Sequence, residues 1–120
     1  MQKIKKIEKE IEEAVDLYKL KKFIEAESTV KTLIHRYSKI GFLYNLLGLI
    51  LVDQKKYEEA ITCYKKGILN DPKFAMIYNN LGLLYATHKY DYKNGEEFYK
   101  KSISINDQIP ETHNNLGSLY

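Results

Sequence analysis

The sequence predicts an all-α fold, an α-solenoid of antiparallel helix pairs with about seven helices. Three observations predict it. The block Tyr44-Asn45-Leu46-Leu47-Gly48 returns as Tyr78-Asn79-Asn80-Leu81-Gly82 and as His113-Asn114-Asn115-Leu116-Gly117, with the glycines 34 and 35 residues apart. A second block, from Tyr57 to Ile68, returns from Tyr92 to Ile103 at a shift of 35. Within these blocks the apolar positions recur at helical spacing.

The copies run over 7–40, 41–74 and 75–109, with a half copy at 110–120, so residues 1–120 form one array. The first copy is divergent. It keeps Ala14, Leu17, Ala26 and Val30 in small or apolar form and carries Glu10 and Glu13 on its opening helix. In the second copy Tyr44, Leu47 and Leu51 define one helix, and Tyr57, Ala60, Ile61, Tyr64 and Ile68 define its partner. Glu58 and Glu59 open that partner while Lys65 and Lys66 lie near its end, which complements the helix macrodipole. The third copy repeats the pattern and adds the i,i+4 pairs Glu96–Lys100 and Glu97–Lys101. One residue is inserted between Tyr85 and Tyr92. Asp71-Pro72 and Ile109-Pro110 mark joints between hairpins, where a missing N–H costs least.

A glycine inside a helix costs about 1 kcal/mol relative to alanine. Its recurrence at Gly48, Gly82 and Gly117 points to a backbone passing too close for a side chain, with Ala26, Ala60 and Gly95 as the matching small surface. Tyr44, Tyr64, Tyr78 and Tyr99 would fill the gaps beside those contacts and leave their hydroxyls wet. That accounts for an unusual composition, in which 11 of the 15 aromatic residues are tyrosine.

Composition also excludes function classes. One cysteine leaves no disulfide framework and no Cys-rich zinc module. His35, His88 and His113 lie on different hairpins without a carboxylate or thiol at ligand spacing, so no metal and no cofactor are expected. Cys63 reads as a packed thiol, and there is neither a Gly-rich phosphate loop nor a Gly-x-Ser-x-Gly elbow, so no enzyme is expected. Net charge is +3, with lysine outnumbering arginine 18 to 1. Lys31, Lys65, Lys66, Lys100 and Lys101 read as a solvated outer face beside acidic neighbours, which argues against a nucleic-acid partner. The N-terminus lacks the apolar core of a signal peptide. The longest mostly apolar segment, from Gly41 to Val52, is 12 residues long and falls short of a membrane span. A cytoplasmic protein without a membrane partner is expected.

The order Tyr44, Leu47-Gly48, Leu51, Ala60, Tyr64 and Pro72 resembles the tetratricopeptide repeat, whose pattern is a large aromatic, Leu-Gly, Tyr, Ala, aromatic and Pro, with Leu51 standing at the Tyr position. The third copy matches through Tyr78, Leu81-Gly82, Tyr85, Gly95 and Tyr99 but has Asp107 where the family has proline. The resemblance implies a right-handed superhelix whose first helices line a concave groove, and a non-catalytic scaffold that binds a protein or peptide there. By match to the family, the groove residues are Phe42, Asn45, Leu49, Met76, Asn79, Asn80, Leu83, Asn114 and Asn115. Leu46, Val52 and Thr87 join them.

The family's basic clamp for chaperone C-terminal carboxylates uses Lys, Asn and Arg on successive first helices. Its positions fall here on Ile11, Val15, Leu46, Met76 and Asn80, or on Asn45, Leu49, Asn80, Glu111 and Asn115, without a cation in either register. Asn45, Asn79 and Asn114, with Asn80 and Asn115 beside them, form a ladder able to hold an extended peptide backbone, since an amide both donates and accepts. The alternative is that these amides serve a neighbouring helix. Two further readings come from the ending at Leu119-Tyr120, in a helix without a partner. Either this is the N-terminal arm of a longer enzyme, such as a glycosyl- or sulfotransferase, or the uncapped helix mediates homo-oligomerisation.

Overall fold

In the computed structural model, which describes residues 2–120, seven helices follow one another. They are α1 (Gln2–Lys19), α2 (Phe23–Arg36), α3 (Gly41–Asp53), α4 (Tyr57–Asn70), α5 (Ala75–His88), α6 (Tyr92–Ile105) and α7 (Pro110–Ser118). α1 starts upstream of the expected copy boundary at residue 7, because Gln2 to Lys6 are helix formers with no breaker among them. The helices pair as α1/α2, α3/α4 and α5/α6, with α7 docked on α6, in a stack 46 × 30 × 22 Å in extent.

Each pair turns through one residue in the left-handed region: Lys21 (φ 61°), Lys55 (φ 62°) and Tyr90 (φ 52°). At the first two turns the N–H of the following residue reaches back five positions, Lys22 to Leu17 and Lys56 to Leu51, closing the helix end. At the third, Asp91 reaches back six positions to Tyr85. The inserted residue is thus absorbed in the last turn of α5, which has 14 residues against 13 in α3.

The small residues lie where the two helices of a pair cross. A Cβ added at Gly48 would sit 2.0 Å from the Tyr64 ring, so in this pair a wedged aromatic side chain, not a neighbouring backbone, requires glycine. At Gly82 both apply: the Tyr99 ring lies 2.9 Å and the Gly95 carbonyl 3.0 Å from the added carbon. Gly117 has nothing within 4 Å among the described residues, since neither α5 nor α6, the helices that contact α7, reaches that position. Tyr64 and Tyr99 are almost fully buried. The clearest departure from the expected wet hydroxyls is at Tyr64, whose hydroxyl is pushed up by burial, while Tyr44 and Tyr78 are less enclosed but bonded. Their hydroxyls donate to the carbonyls of Ser38 (2.8 Å) and Pro72 (2.9 Å), six residues back, tying each first helix to the loop that precedes it.

Glu27 joins the first pair to the second. Its carboxylate accepts from Lys31 Nζ (2.7 Å), Gln54 Nε2 (2.8 Å) and Lys56 Nζ (3.3 Å), so α2 is anchored to the α3/α4 turn. The Lys31 bond, aided by Gln54 and Lys56 and opposed by burial, holds the Glu27 carboxyl down to about 2.

Gly117→Ala is expected to stabilise the chain by about 0.5 kcal/mol through helix propensity alone. Gly48→Ala is expected to destabilise it by about 2 kcal/mol or more, because the clash with Tyr64 outweighs the same gain. Urea denaturation of the two variants measures both. The depressed carboxyl of Glu27 contributes stability that is present above the unfolded-state value and lost as pH falls toward 2. Its share, reduced by the exposure of its lysine partners, is about 1–2 kcal/mol. Glu27→Gln should lower stability at neutral pH by that amount and flatten the loss between about pH 5 and pH 2, as read from urea midpoints across pH.

Candidate functional site

Successive first helices approach one another, α1 with α3, α3 with α5 and α5 with α7. No Cα of α2 comes within 8 Å of α4, nor of α4 within 8 Å of α6. The first helices are therefore the inner layer, toward which the array bends. The asparagines lie on these helices.

They bond to one another. Asn115 Nδ2 donates to Asn79 Oδ1 (3.1 Å), Asn79 Nδ2 donates to Asn80 Oδ1 (3.3 Å), and Asn80 Nδ2 donates to Asn45 Oδ1 (2.6 Å). One chain of amides thus crosses α7, α5 and α3. Asn79 is 2% exposed and Asn45 7%, so both serve mainly their neighbouring helices. Asn80 and Asn115 are half-buried at the edge of the layer. Asn114 is exposed and stands outside the chain; its backbone carbonyl accepts from Ser118 Oγ. The ladder that the repeat spacing suggests through Asn45, Asn79 and Asn114 therefore runs through Asn115 instead.

The apolar candidates divide in the same way. Leu46 is buried core at 4% exposure, not a groove residue. Leu49 and Met76 are half-buried, whereas Phe42 and Leu83 are exposed. Leu49, Val52, Leu83 and Thr87 border a small cleft of about 90 Å³ between α3 and α5, beside Asn80. Tyr64 and Leu84 close its inner end, and His88 completes the rim; sequence spacing alone did not single these three out for the groove. Phe42 lies apart from them, packed edge-on against Phe74 with ring centroids 6.4 Å apart.

Elsewhere the chemistry is quiet. The Cys63 thiol is buried, donates to the Tyr44 carbonyl (3.3 Å) and is pushed up to about 12 by that burial. The five lysines of the second helices are exposed, with Lys31 and Lys100 paired to Glu27 and Glu96. No helix among the described residues is long and apolar enough to cross a membrane.

Comparison with known families settles the repeat. A TPR repeat model matches residues 48–88 and a tetratricopeptide repeat model matches residues 75–109, together spanning 62 of the 120 residues. The chain belongs to the tetratricopeptide repeat family. Solved tetratricopeptide-like structures share its fold at low sequence identity. The Yersinia enterocolitica type III secretion chaperone SycD, solved with a peptide of the translocator YopD, is 16% identical with a TM-score of 0.83, over 96% of this chain and 92% of that one. The first tetratricopeptide domain of Spaghetti (RPAP3), bound to the HSP90 peptide SRMEEVD, is 16% identical with a TM-score of 0.82, over 96% and 90%. MamA is 20% identical with a TM-score of 0.81; 95% of this chain covers 66% of that one. No curated protein matches the sequence.

Within this tetratricopeptide array the amide chain is structural before it is anything else. Asn79→Ala strands the Asn115 donor and the Asn80 acceptor and should cost about 1–3 kcal/mol of stability. Asn114→Ala should change it by less than about 0.5 kcal/mol. Equal effects in thermal or urea unfolding would contradict the amide chain.

Proposed function

We propose that the chain is a non-catalytic interaction scaffold that binds a protein segment along the inner face of α3, α5 and α7. The observation that carries this is the strip of half-buried and exposed apolar side chains, Leu49, Val52, Met76 and Leu83, alongside the half-buried amides of Asn80 and Asn115. Apolar side chains left at a surface next to groups that can hold a peptide backbone suit an extended segment with alternate apolar residues. SycD and Spaghetti, of the same fold, are solved with peptides, which supports the class of ligand. None of the nine groove candidates is a cation, so a bare terminal carboxylate would gain no charge-assisted bond here. The segment recognised is accordingly apolar and internal.

Selection from a random nonapeptide library, followed by calorimetry, tests the reading. The selected peptides should carry two or more large apolar residues, and Leu49→Asp/Leu83→Asp should weaken them at least about tenfold with an unchanged helical circular dichroism spectrum. Peptides that bind this double variant as tightly as the wild type would overturn the inner face as the site.

A further inference from the structure

On the opposite, outer side of the array, a second cleft of about 480 Å³ lies between α2 and α4, with α3 as its floor. Its origin is a difference between copies. Lys31, Tyr44 and Leu47 line it and recur one repeat later as Lys65, Tyr78 and Leu81, identical at a shift of 34. Of the apolar lining residues two do not recur, Leu51 being replaced by Tyr85 and Cys63 by Phe98, and on the rim Glu58, Glu59 and Thr62 give way to Lys93, Asn94 and Glu97. In the later repeat the rings of Tyr85 and Phe98 stack, with centroids 5.5 Å apart and planes 16° apart, and Lys65 Nζ lies 5.7 Å from the Tyr85 centroid. The protein thus shows in one joint what the other joint has room for: aromatic rings, with a lysine positioned over one of them.

Charge at the rim defines the rest of the ligand. Glu58 is tied to Lys89 and Lys31 to Glu27, whereas Lys66 has no acidic side chain within 4 Å among the described residues. Glu59 stands two helical turns away from Lys66, toward the start of α4. An anionic group is therefore matched at the Lys66 end and opposed at the Glu59 end. The volume is in the range of small-ligand sites, about 300–1,000 Å³.

We infer that the α2/α4 cleft is a binding site for a small aromatic anion, an aryl carboxylate or sulfonate of one or two rings. The ring occupies the space that Tyr85 and Phe98 fill in the next repeat, beneath Lys31, and the anionic group meets Lys66. The site is independent of the inner face.

The probe is 2-naphthoate, titrated into the full chain and followed by amide chemical shifts. Saturable shifts at Ile34, Leu51, Cys63 and Lys66 are expected. Leu51→Tyr/Cys63→Phe, which restores the later repeat's ring pair, should weaken binding at least about tenfold, and Lys66→Ala at least about threefold. If the filled variant does not fold, Lys66→Ala, an exposed change, carries the test. Leu49→Asp/Leu83→Asp on the inner face should leave naphthoate affinity unchanged. Shifts confined to other residues, no binding up to about 5 mM, or wild-type affinity in Lys66→Ala or in the folded filled variant would overturn the site.

Discussion

The distance between the two helices of each pair is the constraint on which the rest of this array depends. At Gly48 it is set by the Tyr64 ring, which leaves no room for even one added carbon, and at Gly82 by the Tyr99 ring together with the Gly95 carbonyl. Ala14 and Ala26, both fully buried, occupy the equivalent places in the first pair. The glycines cost helix propensity, about 1 kcal/mol each. In return a tyrosine ring packs across the crossing and is removed from water, a gain worth about 1.5–3 kcal/mol for a large side chain. A ring fills the crossing in the second and third pairs only, and a short turn joins the helices of all three. Three non-glycine residues accept left-handed backbone to make those turns.

Much of this was legible in the chain itself, and for a physical reason. A contact that every pair must make writes the same residue types into the sequence at every period, so the glycines, the small partners and the tyrosines announced the hairpins. The insertion between Tyr85 and Tyr92 was legible as a shift from 34 to 35, but not its location, because a helix can lengthen by one residue without altering its apolar pattern. The hydroxyl bonds from Tyr44 to Ser38 and from Tyr78 to Pro72 were not legible. They depend on where the preceding loop runs, and carbonyls have no letter in a sequence.

The inner face was harder to read, since burial and hydrogen bonding there are decided by rotamers and by the angle between pairs. The asparagines were placed on the correct helices. Spacing joined Asn45, Asn79 and Asn114, whereas the amides join Asn45, Asn80, Asn79 and Asn115, because each bond between helices runs diagonally, to the residue one position beyond the repeat equivalent. Leu46 and Leu49, three apart, share a helix face by spacing alone. The structure sends the first into the core and leaves the second half-buried beside α5. No periodicity distinguishes them; their different burial between the packed helices does.

A stack in which each pair touches only its neighbours can change one joint without disturbing another. The joint between α4 and α5 seats Ile77 against Gly67, where an added carbon would lie 2.7 Å from Ile77 Cδ1. At the next joint the corresponding places hold Thr112 and Ser102, both buried, with hydroxyls 3.3 Å apart and Ser102 donating to the Ala75 carbonyl (2.9 Å). An apolar contact has become a satisfied polar one, and the helices remain in place. The outer clefts differ by the same logic: Tyr85 and Phe98 close one, while Leu51 and Cys63 leave the other open. The repeated residues fix the shape. The residues that break the repeat are the ones free to vary, and therefore the ones in which a binding chemistry can be written.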